Sequence, residues 1–285
     1  MFRIGVACSV IFAAGLIHSG AIANRIDSEH LFGFTEGSDI GAKGDKEFEL
    51  SGHGRFGARR GSYSAVSTEV EGKFTLLDNF RIAPGLSLAR YDIVDVPGFG
   101  DRNSWAFEAL SFEMKYRILD RQRSFVGLTV GATPSWGRVD ANGEAVDSYG
   151  AEFFLLADKE LVPGRFFGAF NISYDPASTR SRLTGEWTRD SSLQLSTAVA
   201  AQITEGVFLG GEIRYARSYG GLALDHFSGH ALFVGPTFYA KLSNTSWIAA
   251  GWNIQVAGRS VEDGSALDLT NFQRHEVVVR MGFSF

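Results

Sequence analysis

The residues whose types and spacing could do chemistry are few. The tract Asp225-His226-Phe227-Ser228-Gly229-His230 sets a histidine two residues from a serine. An imidazole within reach of a hydroxyl can take its proton and make a nucleophile, provided a third polar group orients the ring. On an extended strand His226 and Ser228 would share a face, since alternate side chains point to opposite sides. The third member is the difficulty. On the following strand Asn253 has the opposite parity, Asn244 lies at the far end, and Asp225 faces away from its neighbour. A polar loop that holds a histidine and a serine is the expected reading, and no enzyme is expected. His226 and His230 could ligate a metal, but four residues along a strand separate them by about 13 Å. Neither a metal nor a cofactor is expected, and the Gly-rich stretches match no phosphate loop.

A second set of chemical groups is larger and more regular. Glu49, His53, Arg55, Glu69, Glu71, Lys73, Arg81, Glu113, Lys115, Arg117, Glu212, Arg214, Lys241, Glu276 and Arg280, with Glu47 and Glu152, recur at even spacing within alternating runs. Pairs such as Glu69 and Glu71 follow from that period rather than from acid–base catalysis. Charges on one face of many strands can line a polar channel and set its ion selectivity. In a narrower interior they would pair across neighbouring strands, because a lone buried charge is costly. Both arrangements remain open on the sequence.

The elements that must carry these groups are strands. Val66, Thr68, Val70, Gly72, Phe74 and Leu76 alternate with Ser67, Glu69, Glu71, Lys73 and Thr75. Eleven further runs behave alike. They begin with Glu47 to Arg59 and end with Val277, Val279, Met281, Phe283 and Phe285 opposite Glu276, Val278, Arg280 and Ser284. In the sixth, Ser148 to Lys159, the alternation is mixed, and Tyr149, Ala151, Phe153 and Leu155 are assigned outward. Each run approaches the length a tilted strand needs to cross a bilayer. The connections alternate between short turns and long polar loops near 92–104, 137–147, 175–191, 218–229 and 258–271, with 60–62 the one short link on the long-loop side. The opposite face of each run carries charge where a soluble barrel needs its core. Tyr116, Trp136, Tyr174, Tyr215 and Trp247 sit near run ends, where an interfacial girdle belongs. The expected fold is all-β: a single closed antiparallel transmembrane barrel of about twelve strands, over residues 46–285.

The start of the chain bears on compartment. Arg3, the apolar run from Ile4 to Ile17 and Ala21-Ile22-Ala23 have the form of a cleaved secretory signal, residues 1–23. The single cysteine, Cys8, falls within it. A mature chain would thus have no thiol, which excludes disulfides and thiolate chemistry. Loss of Arg3 from 27 basic residues leaves 26 against 32 acidic ones, a net charge of −6. No nucleic-acid partner is expected of such a chain. The expected location is the outer membrane, in contact with its lipid, and the solute is unknown.

The closing run Val277-Val278-Val279-Arg280-Met281-Gly282-Phe283-Ser284-Phe285 resembles the signal by which outer-membrane proteins engage the barrel-assembly machinery, with Phe283 and Phe285 as its aromatic positions. The segment Ser28-Glu29-His30-Leu31-Phe32-Gly33-Phe34-Thr35-Glu36-Gly37-Ser38-Asp39-Ile40-Gly41 resembles the entry motif of uncharacterised proteobacterial outer-membrane barrels. Ala231-Leu232-Phe233-Val234-Gly235-Pro236-Thr237-Phe238 is similar to a late strand in such barrels, including porin-like and aromatic-hydrocarbon uptake types. These resemblances imply an envelope barrel and no particular solute. His226-Phe227-Ser228 also looks like the His-x-Ser arrangement of outer-membrane phospholipases. Residues 24–45 are expected to form a periplasmic lip or plug, or a lead-in packed under the barrel. The functional expectation is a narrow passive channel or uptake porin, with a non-transporting, partner-binding barrel as the alternative.

Overall fold

The computed structural model describes residues 26–262 and 264–285. The expected signal, residues 1–23, lies outside the described residues. The chain forms twelve antiparallel strands that pair in sequence order, and β1 closes on β12. They are β1 (Lys46–Phe56), β2 (Ser62–Leu77), β3 (Phe80–Val94), β4 (Arg102–Leu119), β5 (Gly127–Val139) and β6 (Ala145–Val162), followed by β7 (Phe166–Ser181), β8 (Trp187–Thr204), β9 (Val207–Gly220), β10 (Phe227–Lys241), β11 (Ser246–Ser260) and β12 (His275–Ser284). The seam runs from Glu47 opposite Ser284 to Phe56 opposite His275. It is completed by Phe285 N–H donating to the Lys46 carbonyl at 3.0 Å.

Closure satisfies the backbone, and alternation assigns the faces. Phe48, Leu50, Leu86, Leu110, Phe112, Phe153, Phe170, Val199, Leu209 and Ile213 point outward and are exposed. Such a belt is compatible with hydrocarbon and not with water. Tyr149 and Phe153 are outward as expected for the mixed sixth run, while Leu156 is buried inside.

Several boundaries differ from the sequence expectation, mostly because the strands continue beyond the apolar belt, where polarity no longer marks them. Four connections at the long end shrink, to 95–101, 140–144, 182–186 and 221–226, and the last shifts to 261–274. β1 stops at Phe56 rather than Arg59. The link to β2 is 57–61, with Gly57 and Gly61 at φ +85° and +74°. A bulge between Ser87 and Leu88 skips Glu108 on β4, and a single extra residue inverts the alternation beyond it. Trp247 is no part of a girdle: it points into the barrel and is buried.

The interior holds residues 26–41, which enter at the short-turn end, and the exposed residues 42–45 lead into β1. Leu31 and Phe32, at 0% and 1% exposure, pack with Phe167, Phe208, Tyr239, Trp247, Ala198, Ala200 and Ala249 on the β7–β11 wall. Burying these two side chains stabilises the docked segment by about 3–6 kcal/mol before the entropy of ordering it. The segment approaches β11 so closely that a Cβ on Gly33 would stand 3.0 Å from the Gly251 Cα.

Leu86→Arg, on the outer surface between Val70 and Leu110, is expected to destabilise the barrel by about 2–4 kcal/mol in lipid vesicles. Gln194→Arg, on the inner wall, should cost about 1 kcal/mol or less. Denaturant titration of the two refolded variants measures the difference.

Candidate functional site

The docking of residues 26–45 is governed by acids on the segment and bases on the wall. Glu29 is fully enclosed. Its carboxylate accepts from both terminal nitrogens of Arg81, and lies 3.3 Å from Lys73 Nζ and 3.1 Å from Lys115 Nζ. Burial alone would raise the Glu29 pKa, but Arg81, Lys73 and Lys115 hold it well below the usual carboxylate range. The wall adds acids of its own. Glu49 is 2.5 Å from Lys73, and Glu113 is 3.0 Å from both Arg81 and Lys115.

Farther along, Glu36 spans the lumen between Lys115 on β4, at 2.8 Å, and Arg280 on β12, at 2.9 Å. Burial opposes its ionisation, and those two cations outweigh it, so its pKa is lowered. The Asn171 side-chain amide, in the orientation that satisfies both its partners, accepts from Glu36 N–H at 2.7 Å and donates to the Glu36 carbonyl at 2.9 Å. Glu212 on β9 accepts from Phe34 N–H at 3.0 Å and Thr35 N–H at 2.9 Å, and is itself held by Asn253 at 3.1 Å. Arg214 stacks over Phe34 at 4.1 Å and pairs with Glu276 at 2.5 Å. On the return leg, Arg121 donates to Asp39 at 2.6 Å and lies 3.2 Å from Asp158. Thr129 and Thr75 hydroxyls donate to the Ser38 and Ile40 carbonyls at 2.6 and 2.8 Å.

Beyond the segment tip, toward the long-connection end, the lumen opens into two adjoining cavities of about 210 and 150 Å³. Glu36, His53, Glu113, Glu152 and Arg280 line both. Phe34, Phe154, Leu156, Asn171, Ser173, Gln194, Ser196 and Arg214 complete the larger, and Ser51, Glu69, Glu71 and Thr133 contribute to the smaller. Among the described residues no ion pair reaches Glu69, Glu71 or Glu152, although Ser111 donates to Glu69 at 2.8 Å. The lining is therefore polar, with acids that face open space. Two connections fold in at the far mouth. Tyr63 and Tyr91 hydroxyls donate to the Ala141 and Asp140 carbonyls at 2.8 and 3.1 Å, and Gln255 donates to the Asp268 carbonyl at 3.1 Å.

The expected interior residues thus divide. Glu49, Lys73, Arg81, Glu113, Lys115, Glu212, Arg214 and Arg280 grip or adjoin the segment. His53, Glu69 and Glu71 face the cavities. Arg55 pairs with Glu108 at 3.6 Å. Arg117 and Lys241 lie at the short-turn rim, where Arg117 bonds the Asp78 carbonyl at 2.5 Å and Lys241 is exposed. Of the C-terminal aromatics, Phe283 pairs across both seams and Phe285 is exposed at the edge.

Sequence reasoning passed over Glu29, Glu36, Asp39, Arg121 and Asp158. They lie in the segment, a turn or a strand end, and only the fold of the segment into the lumen joins them. Glu108 was hidden by its bulge. The Ser228 hydroxyl donates to the His226 carbonyl at 3.3 Å, and the Asp225 carboxylate accepts from Ala223 N–H at 3.3 Å. No hydrogen bond joins Ser228 to the His226 ring among the described residues, so the pair is not arranged as nucleophile and base.

Glu29→Gln leaves Arg81, Lys73 and Lys115 facing a neutral group. Removing one partner of a buried charge pair costs about 3–5 kcal/mol. Limited proteolysis of residues 26–41 should accelerate in this variant, while the barrel keeps its heat-modifiable migration. Glu69→Gln, which breaks no ion pair, should leave the cleavage rate unchanged.

Comparison with solved structures places this architecture among membrane barrels. The COG4313 outer membrane channel from Pseudomonas putida F1 aligns with TM-score 0.60 and 12% identity, covering 87% of this chain and 98% of that one. The beta domain of the Bordetella autotransporter BrkA aligns with TM-score 0.53 and 12% identity, over 85% and 100% of the two chains. The NanC porin aligns with TM-score 0.50 and 12% identity, over 83% and 98%. At these identities the likeness is one of fold. No curated protein matches the sequence. Residues 24–285 match the family of unknown function DUF6662, and the chain belongs to that family.

Proposed function

We propose that this barrel is a narrow passive channel or uptake porin of the outer membrane for small polar solutes, held shut at its periplasmic end by its own residues 26–41. The carrying observation is the open, charge-lined lumen that ends on the segment tip at Phe34 and Glu36. A barrel of twelve strands has room for such a lumen, whereas one of about eight fills itself with side chains. Two structural neighbours of the same fold bear names that mark them as a channel and a porin, which supports this reading. Residues 1–23 would direct export, and Phe283 with Phe285 would present the chain to the assembly machinery. An enzymatic role finds no support in the His226–Ser228 geometry.

The alternative is a non-transporting envelope barrel whose segment never leaves. The enclosed ion pairs of Glu29 and Glu36 favour it, since undocking would strand several charges together.

Planar-bilayer conductance separates the two. The channel reading expects rare or small openings from the parent chain, and openings several-fold larger once residues 26–41 are deleted. Glu212→Ala, which releases the tip without shortening the chain, should raise the open probability. Identical openings for the parent and both folded variants would overturn the plug, and silence from all three would overturn the channel.

A further inference from the structure

His30 is the least satisfied polar side chain of the docked segment. Its ring is 1% exposed and lies flat on the Trp247 indole, 3.7 Å away at 14°. Neither Nδ1 nor Nε2 has a hydrogen-bond partner. Nε2 stands 3.4 Å from Glu47 Oε1 and 3.5 Å from Glu29 Oε2, and Nδ1 stands 3.9 Å from Glu49 Oε2. Glu47 Oε1 is also buried without a hydrogen bond. The other oxygen, Glu47 Oε2, is fixed by the Trp247 indole N–H at 3.1 Å and the Ser284 hydroxyl at 3.3 Å.

Two orphaned ligand atoms facing each other at this distance frame a gap of defined size. With bonds of about 2.0–2.1 Å, neighbouring ligands of a tetrahedral zinc ion stand about 3.3–3.4 Å apart. The ligand atoms of His30, Glu47 and Glu49 all lie within 4.8 Å of one another, as do those of Asp27, Glu29 and His30. His30 is the vertex common to both groups.

Four acids meet here, Asp27, Glu29, Glu47 and Glu49, and Lys73, Arg81, Lys115 and Arg280 pair with three of them. Lys73 is the competitor for the same carboxylates. Its ammonium is engaged by Glu49 at 2.5 Å and Glu29 at 3.3 Å, and stands 3.5 Å from Glu47 Oε1 without a hydrogen bond to it. The indole and serine contacts to Glu47 are the kind of outer support that orients a ligating carboxylate.

We propose that His30, Glu47 and Glu49, joined by Glu29, form a site for a divalent transition metal of the zinc class. One imidazole and several carboxylates, with no thiolate, define that class of ion. His30 and Glu29 belong to the segment while Glu47 and Glu49 belong to β1, so the bound ion cross-links plug and wall. This assignment stands whether or not the barrel conducts.

The test is binding of Zn²⁺ or Co²⁺ alone to the full chain refolded in detergent, followed by calorimetry and by the visible absorption of Co²⁺. The expected result is one ion per chain, a Co²⁺ spectrum of tetrahedral intensity and a raised Tm. Affinity should fall at least tenfold in His30→Ala and in the near-isosteric Glu47→Gln, with heat-modifiable migration confirming that each variant folds. His226→Ala with His230→Ala should leave binding intact. Absence of binding, binding that survives both His30→Ala and Glu47→Gln, or binding abolished by the double loop variant would each overturn the site.

Discussion

The constraint behind the whole structure is that no backbone N–H or C=O facing hydrocarbon can go unpaired. A sheet of twelve strands meets it only by returning on itself, so β12 must find β1 in a register that keeps Phe283 and Phe48 on one face and Arg280 and Glu49 on the other. A slip of one residue there would turn charges toward lipid. Closure also creates the problem that the interior then has to answer. A cylinder of this size is too wide for its own side chains to fill at every level, and an unfilled level must be hydrated or occupied.

The chain answers differently along its length. Near the short turns the lumen is occupied by residues 26–41, gripped by two unlike walls. The β7–β11 wall offers Phe167, Phe208, Tyr239 and Trp247 to Leu31 and Phe32. The β1–β4 wall offers Lys73, Arg81 and Lys115 to Glu29. The segment is amphipathic in the same sense as its surroundings, which fixes its rotation within the barrel. The apolar half supplies most of the free energy. The ionic half supplies position, since buried ion pairs roughly repay their own desolvation and are costly chiefly when one partner is lost. Above the tip the same wall chemistry meets no segment. Glu69, Glu71 and Glu152 there face cavity space, and the interior changes from a packed plug to an open polar vestibule.

His30 sits where these regimes join. It belongs to the segment, stacks on the aromatic wall through Trp247 and faces the acids of β1. Charged groups stand within 4 Å of this imidazole and of the Glu47 oxygen opposite it, but neither makes a hydrogen bond.

The fold was legible in the amino acids because the bilayer imposes a simple rule on each strand. Val66 to Leu76 reads as a lipid-facing row in isolation, and so do its counterparts. Twelve strands, closure and the inward orientation of Lys73, Arg81 or Arg280 follow from that local rule. It fails where a residue is inserted, as at Glu108, and where strands leave the apolar belt, as at Ser181 and Trp187. The candidate site was not legible, because nothing local couples Glu29 to Lys73, Arg81 and Lys115, or His30 to Glu47 and Trp247. Those contacts join positions far apart in sequence, and they exist only once the barrel has closed and a neighbouring stretch of chain has entered it. Periodicity along the chain decided which side chains face inward. The three-dimensional path of residues 26–45 decided which of them would meet, because charge pairing depends on distance across the lumen and not on spacing along a strand.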